Sequence, residues 1–370
     1  MAASRRAYID WLRGIAVVAM IEWHVIDSWS IAGPRDGTAW VVIRTVGGYA
    51  APLFLFLAGL AVPLAIRARE KRGMTLTEAA WSVQKRGWQI FGIAHVFRFL
   101  SFFLNPNASW TELLKPDILN VLGLGLAATA FLGGFVGRAP AARRKTMWWL
   151  LLPAVAVLAA TPLARLWWWP TLLIPQLEAY IRPVGNFGVF SLFPWLAYVP
   201  FGAFLGVLIV ETTDDRDERT LAGHMAAAGI AAGAIGAAGV WFVADGSATS
   251  WIETYSNVVM RAGVMTAALA VSRGVVAVQP AWLTNPLLLL GQTSLFVYWV
   301  HVELAYGVWS LPLHHTLPLR WSVPGFAGML VLMYFAAGWW AGRPPRNAWI
   351  PVELTTRTPH LSASTHNLPT

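Results

Sequence analysis

The sequence predicts an all-α fold, a polytopic membrane bundle of ten or eleven transmembrane helices with both termini cytoplasmic. Three observations carry that expectation. Of 370 residues, 57% are hydrophobic and only 12% charged, against about 25% charged in soluble domains. Apolar stretches of about twenty residues, the length that spans a bilayer's hydrocarbon core, recur along the chain. Basic residues concentrate in alternate connections, which orients the bundle.

Ten stretches emerge, at about 9–29, 41–66, 87–104, 117–136, 147–168, 189–210, 222–244, 255–278, 285–309 and 322–341. The first follows Arg5 and Arg6 but contains Glu22 and His24 and has no small-residue cleavage site, so it reads as a retained helix rather than a signal peptide. With the N-terminus inside, the inner segments carry eighteen Lys and Arg and the outer loops carry four, Arg35, Lys115, Arg182 and Arg320. The outer connection at about 169–188 is broken by Pro and Gly and is expected to hold a short helix on or dipping into the membrane. Residues 1–341 form one transmembrane domain. The stretch 342–370, rich in Pro, Thr, Ser and Asn, forms a polar, mobile cytoplasmic tail.

Composition also narrows the function classes. A net charge of +9 in so apolar a chain reflects inner loops held against anionic lipid, not nucleic acid binding. The absence of Cys excludes disulfides and thiolate chemistry. His314 and His315 lie in an outer loop without nearby Asp or Glu, so no metal site is expected. The Trp residues cluster at segment ends and read as interfacial anchors.

The chemistry resides in polar residues inside the spans. Arg13 and His24 stand eleven residues apart in the first stretch, which returns them to one helical face and separates them by about 16 Å. Ionisable groups at such depth are costly, and a chain that keeps them generally uses them. The pair reads as an anion anchor and a proton-accepting base. Asp27, one turn beyond His24, is placed to hold the imidazole's other nitrogen, with an interfacial residue facing water as the competing reading. Asp10 is placed to orient Arg13.

The other intramembrane groups converge on the same outer half of the bilayer. They are Arg44, His95 and Arg98, Asp117 and Asn120, Arg261, and Tyr298, His301 and Glu303. One shared polar cavity is the economical arrangement. Each of these groups also has a plainer reading as a polar contact between helices.

The opening, Asp10 and Leu12-Arg13-Gly14 with His24 eleven residues after the Arg, resembles the first-helix signature of the membrane-bound acyltransferase-3 family. The stretches APLFLFLAGLAV at 51–62, KRGWQIFGIAH at 85–95, PDILNVLGL at 116–124 and GQTSLFVYWVH at 291–301 resemble the related heparan-alpha-glucosaminide N-acetyltransferase branch and its bacterial relatives. The resemblance spans residues 5–341. It implies a transmembrane acyltransferase of the bacterial inner membrane. Such an enzyme takes an acyl group, here most readily acetyl, from cytoplasmic acyl-CoA and delivers it to a hydroxyl or amine of an extracytoplasmic glycan, glycolipid or amino sugar.

On that reading acetyl-CoA is the co-substrate and no metal takes part. Arg13, Lys85 and Arg86 hold the CoA phosphates from the inner side. His24, with Asp27 placed to hold its other nitrogen, takes the acceptor's proton, Arg98, Asn120 or Tyr298 polarises the thioester carbonyl, and His301 is a further catalytic or substrate-binding group. His95, Asp117, Tyr298, Glu303 and Arg261 contact the acceptor. Direct transfer and an acyl-histidine intermediate both remain open. A proton-coupled transporter or lipid flippase using the same polar cavity is the alternative, although the inverted repeats it would favour are not evident. Membrane lipid is the expected surrounding partner, and a homo-oligomer is left open.

Overall fold

A computed structural model describes residues 6–31, 35–104, 109–135, 147–185, 189–243 and 250–342. The tail beyond Gly342 and the basic connection with Arg138, Arg143, Arg144 and Lys145 lie outside the described residues. Within them the fold is helical, with no strands. The helices are α1 (Ala7–Trp29), α2 (Thr38–Glu70), α3 (Leu76–Leu104), α4 (Ile118–Gly133), α5 (Trp148–Leu166), α6 (Pro175–Ile181), α7 (Leu192–Trp195), α8 (Tyr198–Val210), α9 (Asp215–Val243), α10 (Ser250–Val278), α11 (Ala281–Gln292), α12 (Ser294–Tyr306) and α13 (Leu319–Ala341).

Each of the ten expected stretches is helical, but two are broken. The sixth is divided between α7 and α8, and the ninth between α11 and α12, which meet at an angle of 82°. Among the described residues eight helical stretches are long and apolar enough to cross a membrane, or nine with the bent pair taken as one span. Helix α1 stays outside that count because Asp10, Arg13, Glu22 and Asp27 punctuate its 23 residues. It is nevertheless a central helix, packed on α2, α10, α11, α12 and α13. Its neighbours bury Ala16, Val17, Ile21 and Val25 completely. The connection at 169–188 holds the expected short helix, α6, between a 3-10 turn at Trp169–Leu172 and α7.

Lipid offers helices little hydrophobic reason to associate, so the contacts depend on backbones approaching closely at small residues. A Cβ on Gly59 of α2 would stand 1.8 Å from the Val199 carbonyl oxygen, and one on Gly202 of α8 would stand 2.0 Å from that of Phe56. The same reciprocity joins α1 to α11, where a Cβ on Gly14 would meet the Leu287 oxygen at 2.1 Å and one on Gly291 the Asp10 oxygen at 1.9 Å. Gly229, Gly236 and Gly263 seat α9 against α10 in the same way.

Polar ties close the two ends of the bundle. At the end where α1 begins, Arg6 and Tyr8 both bond Glu218 of α9, and Arg273 of α10 pairs with Asp215. At the other end Ser30 and Leu317 form a short bridge, and the Trp29 carbonyl accepts from the Leu317 amide. α1 thus runs the length of the bundle with both ends anchored.

Gly59→Ala is therefore expected to force α2 and α8 apart and destabilise the protein by about 1–3 kcal/mol. Gly92→Ala, at a helical glycine with nothing within 4 Å of the added carbon, is expected to be neutral or slightly stabilising. Thermal unfolding of the two variants in one detergent distinguishes them.

Candidate functional site

α1 and α12 bring the first of the expected residues together. His24 Nδ1 lies 2.9 Å from His301 Nε2, and the two rings stack with their planes 11° apart. His301 Nδ1 lies 2.6 Å from the Val297 carbonyl oxygen one turn earlier in α12. A carbonyl only accepts, so the proton of the neutral His301 sits on Nδ1 and its Nε2 is the acceptor. His24 must then donate from Nδ1, which leaves the lone pair of its Nε2 available. This chain of bonds sets both tautomers from one backbone oxygen. His301 is fully buried.

Aromatic rings enclose the pair. Tyr306 stands edge-on to His24 with centroids 5.5 Å apart, and Tyr298 meets His301 edge-on at 6.1 Å. Asp27 does not hold the imidazole, contrary to the expectation from its one-turn spacing. Its carboxylate accepts from Arg35 and from the Tyr306 hydroxyl. The nitrogen it was expected to occupy is satisfied by His301 instead. Asp27 thus reaches the pair only by way of Tyr306, whose ring stands edge-on to His24.

A second cluster adjoins the first through α3 and α12. Ser101 donates to Glu303, and the ring of Phe97 meets those of Tyr298 and Trp299. Arg98 Nε lies 3.5 Å from Asp117 Oδ2, and neither atom has a closer hydrogen-bond partner although both are buried. Arg98 and Asp117 are within electrostatic reach of Tyr298.

The other oxygen of Asp117 accepts from the backbone amides of Leu119 and Asn120, while Asn120 Oδ1 accepts from the Asp117 amide. This reciprocal cap starts α4. It gives Asp117 and Asn120 a structural task in addition to any contact with substrate. His95 donates from Nδ1 to the Phe91 carbonyl, so its Nε2 faces the hydroxyl of Tyr180 on α6 at 3.4 Å. Burial, reinforced by the charge of Asp117 and opposed by that of Arg98, pushes the Tyr180 phenol up to about 12. The hydroxyl therefore stays protonated and donates to His95.

The remaining expected residues lie elsewhere. Arg13 pairs with Asp10 at 2.9 Å, as their spacing predicts. Lys85 stands over the Trp81 ring and Arg86 beside Gln89, both on α3, which packs chiefly on α4 and α2. Arg261 is set apart among Tyr49, Trp195 and Tyr198. Among the described residues no group of three or more His, Asp or Glu is arranged to hold a metal ion.

Four partners are not expected from the sequence: Tyr306, Arg35, Ser101 and Tyr180. Ser101 shares a helical face with Arg98 at three-residue spacing, which is a usable signal. The contact of Tyr180 with His95 bridges 85 residues and has no local signature.

An all-α bundle of membrane-capable helices with ionised and imidazole side chains gathered between its helices defines a multi-pass integral membrane protein with a polar site inside the bundle. Residues 5–238, more than half of the chain, match the family described as heparan-alpha-glucosaminide N-acetyltransferase, catalytic, and the chain belongs to that family. Of the two resemblances noted in the sequence, this is the one the match supports; it places the protein among transferases. No curated protein matches the chain. The matched segment contains His24, Arg98 and Asp117 and ends before α10.

The double task of Asp117 is separable. Asp117→Asn is expected to keep the cap but lose the ion pair with Arg98, whereas Asp117→Ala loses both. The Ala variant should unfold about 1 kcal/mol more easily than the Asn variant, the typical worth of an N-cap side chain. Equal midpoints in chemical denaturation would remove the cap from the account.

Proposed function

We propose that the protein transfers an acetyl group from acetyl-CoA on the inner side to an amine or hydroxyl of a sugar-containing acceptor on the outer side. The observation that supports this reading most directly is the relay from the Val297 carbonyl through His301 to His24. The relay presents an unprotonated Nε2 in a membrane protein of an N-acetyltransferase family.

In this mechanism His24 Nε2 accepts the proton of the acceptor nucleophile as its nitrogen or oxygen bonds to the thioester carbonyl carbon. His301 Nε2, already accepting from His24, stabilises the imidazolium that forms. The carbon–sulfur bond then breaks, and the thiolate of CoA leaves with the proton that His24 returns. Arg98, whose buried Nε lacks a close partner, is the group best placed to stabilise charge on the carbonyl oxygen. Tyr298 adds a second hydroxyl near the histidines. Arg13, held by Asp10, together with Lys85 and Arg86, receives the CoA phosphates.

Purified protein in lipid nanodiscs, given radiolabelled acetyl-CoA and amino-sugar acceptors, tests this reading. His24→Ala is expected to lower kcat by about 10²–10⁴, the range of a lost general base. His301→Phe should remove the relay and lower kcat by a smaller factor. Arg13→Ala should raise the KM for acetyl-CoA and leave kcat nearly unchanged. Full turnover by His24→Ala would sink the assignment.

A further inference from the structure

Arg261 stands eleven residues into α10, about 16 Å along the helix from its outer end. Its guanidinium carbon is 6.0 Å from the ring centre of Tyr49 on α2 and 6.0 Å from that of Trp195 on α7. The hydroxyl of Tyr198 on α8 lies within electrostatic reach of the guanidinium, and Phe190 extends the aromatic wall, its ring 5.1 Å from that of Trp195. Arg6, Arg13, Arg35, Arg98, Arg182 and Arg273 each stand beside a carboxylate. Among the described residues Arg261 faces none. A guanidinium placed in a span and met only by rings and a phenol is incompletely compensated, because a ring face offers about 0.5–2 kcal/mol and an anion much more.

Beside the guanidinium the backbone leaves a notch. A Cβ built on Gly48 would meet Arg261 Nη2 alone, at 3.7 Å, whereas the neighbouring Gly47 is filled by Trp23, whose Cβ would lie 2.7 Å away. Trp23 is the residue before His24. The notch therefore lies beside the contact that Trp23 of α1 makes with α2.

We propose that this notch is an oxyanion subsite. Arg261 binds a carboxylate or phosphate group by charge-assisted hydrogen bonds, and the Tyr198 hydroxyl donates to the same group. Tyr49 and Trp195 flank the ring that carries it. The occupant is an anionic sugar acceptor, an identification that rests on the acetyl-transfer reading; the subsite itself does not. A lipid headgroup phosphate offers the same chemistry from a second source.

The test is a binding titration by saturation-transfer NMR on the full chain in phosphatidylcholine nanodiscs. The two probes are a disaccharide of glucuronic acid and glucosamine, and a neutral glucosamine disaccharide. Wild type is expected to bind the anionic probe about tenfold more tightly, the worth of a hydrogen bond to a charged group. Arg261→Gln and Gly48→Asp, the latter bringing a carboxylate to the guanidinium, should both erase that preference. Gly48→Ala should keep it, and Arg261→Lys should keep part of it, which separates charge from folding.

Equal binding of the two probes by wild type, or a preference that survives Arg261→Gln, overturns the subsite. Adding phosphatidylglycerol to the nanodiscs separates the sources. If it abolishes the wild-type preference, the subsite stands with a headgroup phosphate as its occupant, and the acceptor identification falls. Binding that follows this pattern without acetyl transfer overturns the enzymatic reading and leaves the subsite in place.

Discussion

Polar groups enclosed by an apolar bundle have to be satisfied by one another, and in this protein a single backbone oxygen enforces the order. The Val297 carbonyl can only accept. It therefore fixes the proton of His301 on Nδ1, turns His301 Nε2 into an acceptor, and obliges His24 to donate from Nδ1. Reversing any one bond would strand a donor or an acceptor, which costs more than the bond itself gains. The tautomer of His24, and with it the free lone pair on Nε2, is thus set by helix geometry and needs no carboxylate beside it.

Close helix packing makes that order attainable. The Gly14 and Gly291 contact draws α11 onto α1, and the 82° bend that follows redirects α12 so that His301 meets His24. A continuous helix through this segment would carry α12 along the axis of α11. Likewise the cap that starts α4 holds Asp117 where its second oxygen faces Arg98. Structural and chemical tasks therefore fall on the same side chains, and a loss of activity at Asp117 would need a stability measurement beside it to be interpreted.

Much of the helical architecture was legible in the sequence, because hydrophobic length is a local signal. The ten helical stretches, the short helix α6 and the Asp10–Arg13 pair are of that kind. His24 and His301 were each recognisable as costly intramembrane residues. Their direct contact was not, since it joins positions 277 residues apart. Local spacing misled for Asp27, because a residue one turn from His24 can turn its side chain toward an outer loop, and Arg35 and Tyr306 offered it charge and a hydroxyl there. Arg261 was expected beside the other polar groups on depth alone. Depth does not specify azimuth, and α10 presents Arg261 to α2 and α8 instead.

The distance along the chain between the two histidines has a consequence for how the protein can be divided. The segment recognisable as the family's catalytic region ends at residue 238, and His301 lies beyond it on α12. A product shortened to that boundary would keep Arg13 and His24 yet leave the Nδ1 proton of His24 without its acceptor. Such a fragment would retain the segment that matches the family while lacking the atom that orients the His24 imidazole. The last four helices therefore belong to the working unit as much as the first.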